Sequence, residues 1–361
     1  MNAVGERPRP TLAIVGATGA VGAVMLEVVS QRADVWGEIR LLASARSAGR
    51  TMSVRGEDVV VRELDAAAFD GVDVAVFLVH SEVAAEYAPI AVRAGAVVID
   101  TSRAFRAEPD VPLVVHGYNT AQVGNRPRGI VSSPTGATLV LLDAIGALHS
   151  GWGLTDLVVT TMEAASGAGE AGIARLHDEI ESVAGERQLG RHIGDVRRHV
   201  ESRLPSESSP FPAPLALNVV PWTGRAAGEG WSTAEMSLRD ELRKILDRPS
   251  LHVAATCVRV PVVSSHAMSV HARFEGPVSL EGARTALLQA PDVVVLDDVE
   301  HDDWPTPVDV TGSDPTFVGR LRQTADFPDA VDFVVCGDNL RKGAATNCAQ
   351  IAETLAAELG A

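Results

Sequence analysis

Lysine, cysteine and aromatic residues are scarce in this 361-residue chain. Lys244 and Lys342 are its only lysines, and arginine supplies the rest of its 31 basic residues. Against these stand 47 acidic residues, a formal net charge of -16 and an isoelectric point near 5.0. A diffuse acidic balance with no basic stripe repels nucleic acid and anionic membrane, so neither is expected as a partner. The three cysteines, Cys257, Cys336 and Cys348, form no C-x-x-C pair and show no metal spacing. That argues against a disulfide framework or a structural zinc, and for a reducing, cytoplasmic setting. No uncharged apolar run reaches 18 residues, and the lead from Met1 to Pro10 is polar with no signal core. With 46% hydrophobic but only 4% aromatic residues, the interior must be built from alanine, valine and leucine. The length allows two domains with separate cores.

The apolar pattern changes character along the chain. Short apolar runs at Thr11–Val15, Ile39–Leu42, Val59–Val61, Val74–Val79 and Ala96–Ile99 alternate with helix-like segments such as Ala20–Gln31 and Ser81–Ala94. Strands alternating with helices imply a parallel sheet covered on both faces. After Pro134 a helix (Thr138–Leu148) and a strand (Leu154–Glu163) lead to a glycine-rich turn, Ser166–Gly169. Gly185–Pro214 is polar and rich in proline and serine, the composition of a poorly structured surface excursion. From Leu251 onward come closely spaced strand-like runs, Val253–Val263, Ser269–Phe274, Val293–Leu296 and Phe333–Val335, which predict a mixed or antiparallel sheet. Asn339–Leu359 reads as a closing helix. The expected class is α/β: a Rossmann-type parallel-sheet domain over 1–132, an α+β mixed-sheet substrate and dimerisation domain over 133–337, and 338–361 returning to the first.

Gly16-Ala17-Thr18-Gly19-Ala20-Val21-Gly22 sits between the first strand and the first helix. Glycines there permit the tight turn and let backbone N–H groups approach a pyrophosphate at the helix N-terminus. Tight turns alone also need glycine, so the strand-turn-helix setting carries the weight. An NAD site places a carboxylate about 20 residues further on. Here the next strand instead runs into Ser44-Ala45-Arg46-Ser47. Ser44, Arg46 and Ser47 offer hydroxyls and a guanidinium suited to a 2′-phosphate, which favours NADP over a merely solvated loop.

Several ordered segments then resemble the aspartate-semialdehyde dehydrogenase family across nearly the whole chain. They are GATGAVG (Gly16–Gly22), LLASARSAGR (Leu41–Arg50), VVIDTSRAFR (Val97–Arg106), DVPLVV (Asp110–Val115), SGAG (Ser166–Gly169), ELRKIL (Glu241–Leu246), CVRVPV (Cys257–Val262) and DNLRKGAATN (Asp338–Asn347). The resemblance implies a homodimer using NADP on a small anionic substrate, with aspartyl-β-phosphate reduced to the semialdehyde. It implies that Arg106 binds phosphate, Arg259 the substrate carboxylate and Glu235 its amino group. It also implies that His266 is the acid/base, and that Ser166, Gly167 and Asn339 lie on the nicotinamide side. The chemistry is apt, since arginine's planar fork grips carboxylate or phosphate in two places and histidine exchanges protons near neutral pH. Each also has an ordinary explanation, a structural ion pair or a packed ring.

The resemblance breaks where the family carries its nucleophile, in Pro-Asn-Cys-Thr/Ser at a helix start. The matching stretch is Ser132-Ser133-Pro134-Thr135-Gly136-Ala137-Thr138, with Gly136 at the cysteine position. A helix N-terminus favours a thiolate, whereas glycine has no atom to attack with. Ser133 and Thr135 are candidates only with an adjacent base. Glu163 stands where the family has glutamine and is a candidate acid or base, Ser237 replaces a lysine, and His266-Ala267-Met268-Ser269 follows a changed pattern. Three readings stay open: an NADP-dependent enzyme of altered, non-covalent chemistry; a non-catalytic NADP-binding protein, acting as a heteromeric partner of an active homologue or as a regulatory subunit; and the conventional phosphorylating enzyme.

Overall fold

The structure is a computed structural model describing residues 9–32 and 34–360; the polar lead at 1–8 lies outside the described residues. The chain divides into two compact units, Met1–Thr135 with Ala344–Ala361, and Gly136–Gly343.

In the first unit the short apolar runs at 11–15, 39–42, 74–79 and 96–99 become strands of one sheet whose side chains are largely buried. The elements in chain order are β1 (Leu12–Val15), α1 (Ala20–Gln31), β2 (Ile39–Ala43), β3 (Thr51–Val54), β4 (Glu57–Val60), β5 (Arg62–Glu63), β6 (Val74–Phe77), α2 (Ser81–Arg93), β7 (Val97–Asp100) and β8 (Ile130–Ser132). Six of the strands form a sheet in the order β5-β2-β1-β6-β7-β8, and every pairing in it is parallel. The residues of β1 and β6 are completely buried, as an all-parallel sheet with covered faces requires. One face packs with Met25 and Val29 of α1 and with Ile351 and Leu355 of the C-terminal helix Asn347–Gly360. The other packs with Ala84, Ala88 and Ala91 of α2, where small side chains bring the helix close. The run Val59–Val61 does not join this sheet as a strand of the alternating series. It falls at the end of an antiparallel β3–β4 hairpin whose outer residues, Thr51, Ser53, Glu57 and Asp58, are exposed.

The second unit comprises α3 (Gly136–Trp152), β9 (Leu154–Glu163), α4 (Gly169–Val183), α5 (Asp195–Glu201), β10 (Ala226–Gly228), β11 (Trp231–Ser232), α6 (Thr233–Ile245), β12 (His252–Arg259), β13 (His266–Phe274), α7 (Leu280–Gln289), β14 (Val293–Val295), α8 (Pro307–Val310), β15 (Thr316–Arg322) and β16 (Ala330–Gly337). Its sheet has the order β12-β9-β13-β16-β15-β14. The two edge pairings are parallel and the central ones antiparallel, so the sheet is mixed. Pro261 cannot donate to a ladder, and β12 stops at Arg259, short of the apolar stretch ending at Val263. Strand β15 went unread in the sequence because Gly319 and Arg320 interrupt its apolar pattern.

The Gly185–Pro214 stretch is not the poorly structured excursion its composition suggests. It contains α5, and its Val200 and Phe211 are buried, as is Leu215 just beyond it. Glu179, a fully buried residue of α4, accepts hydrogen bonds from the amides of Leu215 (2.6 Å) and Ala216 (3.0 Å) and from Arg175 Nε (2.7 Å). The closing helix likewise begins later than Asn339, after a wide π-turn at Arg341–Thr346.

Candidate active site

The sheet of the first unit reverses its strand order beside β1, with β2 on one side and β6 on the other. Ligands of open parallel sheets bind at the carboxyl ends of strands at such a switch point. Gly16 follows β1 there with a φ of +88°, and a Cβ on it would collide with the carbonyl of Leu78. A Cβ on Gly22 would overlap the carbonyl of Gly16. Gly19 is the N-cap of α1 with no side-chain cap, and no acidic residue occupies the first turn. An N-terminus with unclaimed N–H groups, no adjacent negative charge and a glycine cradle fits a pyrophosphate. Thr18, Ala20 and Val21 are only partly buried around it. At the end of β2, Ser44 and Arg46 are exposed and Ser47 half-buried. The Ser47 amide donates to Ser44 O (2.8 Å) to close the turn. Arg106, in the same unit, is buried with Nε on the carbonyl of Ser133 (2.8 Å) and Nη2 on that of Thr101. The neighbouring Asp100 is pushed above the usual carboxylate range by burial, against hydrogen bonds from Ser102 and the charge of Arg106.

In the second unit, strand register builds a polar cluster. Glu163 ends β9 and Arg259 ends β12, and the two pair directly across the parallel ladder. Because side chains alternate along a strand, Thr161 and Glu163 share a face with Cys257 and Arg259. Arg259 Nη2 lies 3.6 Å from Glu163 Oε2, and its Nη1 donates to the carbonyl of Ala164 (2.5 Å). Thr161 Oγ1 donates to Glu163 Oε1 (3.1 Å). Burial lowers the pKa of Arg259 and the Glu163 carboxylate opposes that shift. A Cβ on Gly167 would overlap Arg259 Nη1, so a larger residue there would push the guanidinium from its place on the Ala164 carbonyl.

His266 opens β13 and is 4% exposed. The amide of Ala164 donates to its Nδ1 (3.2 Å), which leaves the ring proton on Nε2. Burial, aided by the Arg259 charge and opposed by Glu163 and Asp338, pushes its pKa down to about 4. The imidazole is therefore neutral at pH 7, and the exchange of protons near neutrality expected from its ordinary pKa does not apply. Asn339 accepts from Ser166 Oγ (3.0 Å) and from the amide of Ser265 (2.9 Å) through Oδ1, which turns its amide nitrogen away from both. Ser265 holds a left-handed φ of +71° to present that N–H.

Glu235 is placed two strand positions from Arg259, at Cys257, and is occupied. Its Oε2 accepts from the amide of Ser232 (2.8 Å) in the capping box that starts α6, and its Oε1 from the amide of Cys257 (3.2 Å). The Ser-x-x-Glu spacing of 232–235 carries that signal in the sequence. Gly136 is the first residue of α3, and a Cβ on it would meet Asn339 O at 3.1 Å and Gly343 O at 3.4 Å. All three cysteines are buried. Burial is the chief cause that pushes each thiol up to about 12. None is a thiolate at neutral pH.

The sequence missed Phe211, whose ring centroid lies 6.0 Å from Arg259 Cζ. A single aromatic residue between two prolines gives no periodic signal.

Residues 11–126 match the semialdehyde dehydrogenase NAD binding domain, and residues 145–342 the semialdehyde dehydrogenase dimerisation domain. An aspartate-semialdehyde dehydrogenase of Streptomyces akiyoshiensis is 40% identical over 348 residues, covering 96% of this chain and 98% of that protein. One of Prochlorococcus marinus is 37% identical, covering 97% and 96%. Among solved structures, aspartate semialdehyde dehydrogenase II of Vibrio cholerae complexed with ASA aligns with a TM-score of 0.88 at 35% identity, covering 98% of this chain and 99% of that one.

Proposed function

The chain belongs to the aspartate-semialdehyde dehydrogenase family, and from that premise we propose that it is an NADP-dependent oxidoreductase. Its substrate is aspartate semialdehyde or a carbonyl compound of the same size and charge. The observation that carries this reading is the buried, in-register Arg259–Glu163 pair with His266 beside it. Arg259 is the anchor for a substrate carboxylate, because a desolvated guanidinium gives a short, two-point contact. Neutral His266 offers Nε2–H to the carbonyl oxygen. Polarisation by a neutral imidazole suits an oxygen that gains negative charge as its carbon accepts hydride.

Bound NADP supplies or accepts that hydride. The glycine cradle at Gly16, Gly19 and Gly22 holds its pyrophosphate. Arg46, with Ser44 and Ser47, holds the 2′-phosphate, and Asn339, Ser166 and Gly167 serve the nicotinamide side. The dimerisation-domain match supports a homodimer.

Membership of the family favours the phosphorylating reaction, in which aldehyde, phosphate and NADP give acyl phosphate and NADPH. A second reading, direct hydride transfer with no covalent step, is favoured by Gly136 at the start of α3 and by three buried, protonated thiols. Absorbance at the NADPH band tests both. Turnover of aspartate semialdehyde with NADP that needs phosphate supports the first. NADPH oxidation by small carboxylated carbonyl compounds, independent of phosphate, supports the second. No activity with any of them removes the proposal.

A further inference from the structure

Arg259 is held from more directions than an ion pair requires. Its Nη1 is on the Ala164 carbonyl (2.5 Å) and Nη2 faces Glu163 (3.6 Å). Its backbone exchanges hydrogen bonds with Val220, Arg259 N to Val220 O (2.8 Å) and Val220 N to Arg259 O (3.0 Å). The ring of Phe211 covers the Cζ at 6.0 Å, within the reach of a cation–π contact. Phe211 and Val220 both belong to the segment that follows α5, and that segment is pinned by buried charge. Arg175 Nη1 donates to the carbonyl of Pro205 (2.9 Å). Glu179 accepts from Arg175 Nε, Leu215 N and Ala216 N. Phe211 and Leu215 then pack with Ala165, Leu176 and Val220.

Two buried ionised residues are a costly way to fasten a surface segment. Their placement is explained if the segment's position matters to the residue it touches. We propose that Phe211, carried on the segment locked by Arg175 and Glu179, is a positioning residue. It fixes the Arg259 guanidinium in the orientation that receives a substrate carboxylate. An arginine already immobilised loses little side-chain freedom on binding, so affinity for a carboxylate ligand depends on the ring. The proposal rests on the reading of Arg259 as carboxylate anchor.

The test is calorimetric titration of L-aspartate into the full chain saturated with NADPH, using wild type, Phe211→Leu, Phe211→Trp and Arg259→Lys. Leucine keeps apolar bulk and removes the π-face, and the expected loss of L-aspartate affinity is about 5- to 30-fold. Tryptophan keeps the face, and affinity within about threefold of wild type is expected. Affinity for NADPH is unchanged in both. Should Phe211→Leu fail to fold, Phe211→Met, which fills irregular gaps without a ring, carries the same expectation. If Phe211→Leu binds as wild type while Arg259→Lys is weakened, the positioning role is overturned and the anchor reading stands. If Arg259→Lys also binds as wild type, or wild type binds no L-aspartate, both fall.

Discussion

Gly136→Cys isolates the consequence of having no side chain at the start of α3. The added Cβ meets Asn339 O at 3.1 Å, Gly343 O at 3.4 Å and Asn339 Cβ at 3.5 Å. These contacts are tight without overlapping, so neighbours must yield by a few tenths of an ångström. Overpacking of this kind costs about 1–3 kcal/mol. Replacing glycine in a helix returns up to about 1 kcal/mol, so a fall of a few degrees in Tm is expected. Gly136→Ala, which adds the Cβ alone, should show the same fall. A thiol at this N-terminus has the helix dipole to lower its pKa. Loss of a covalent nucleophile has cost about 10⁶-fold in a protease, so a chain that works without one leaves the cysteine variant orders of magnitude to gain in the phosphorylating reaction. NADPH formation from aspartate semialdehyde, NADP and phosphate is the assay, with intact-mass spectrometry for an acyl adduct. On the reading of direct hydride transfer, phosphate-dependent turnover and an adduct appear in Gly136→Cys and are absent from wild type and Gly136→Ala. Robust phosphate-dependent turnover by wild type refutes that reading and supports the phosphorylating one, because it requires a covalent nucleophile that direct hydride transfer does without.

The remaining predictions concern charge. Arg46→Ala should weaken NADPH binding roughly tenfold to a hundredfold, the worth of a charge-assisted contact, and leave NADH binding unchanged, as fluorescence titration will show. His266 has a folded pKa near 4 against an ordinary 6.5. The unfolded chain therefore binds the proton more readily, and stability present above pH 6.5 is lost as pH falls toward 4. His266→Gln should spare about 2–3 kcal/mol of acid destabilisation by pH 4.5, read from urea unfolding at pH 7 and 4.5. The same shift leaves no His266 limb in the pH–rate profile between pH 6 and 8. Glu179→Ala strands Arg175 and two buried amides, and a loss of about 3–5 kcal/mol is expected, visible as a lowered denaturation midpoint.

What the sequence disclosed follows the locality of each signal. The Gly16–Gly22 loop was legible because backbone geometry alone demands glycine at Gly16 and Gly22. Glu163 was visible as a polar residue closing an apolar strand, and Arg259 only through the family resemblance, inside a strand-like run that continues to Val263 in the sequence. Their pairing was not, since it depends on β12 lying beside β9 in one register. The neutral state of His266 was hidden for a like reason, burial being a tertiary property. Glu235 carries a local capping-box signal beside the ammonium-binding role that the family resemblance implies, and in the structure its carboxylate is engaged by Ser232 and Cys257 amides. Gly185–Pro214 misled because isolated apolar residues among prolines and serines have no period, although Phe211 packs.

The most direct measurement of the account is a crystal structure of the chain with NADP and aspartate semialdehyde or L-aspartate. A ligand carboxylate within hydrogen-bonding distance of the Arg259 guanidinium is the predicted result. A ligand bound elsewhere, with the Arg259 guanidinium still on Glu163 and the Ala164 carbonyl and no ligand oxygen near it, would contradict it.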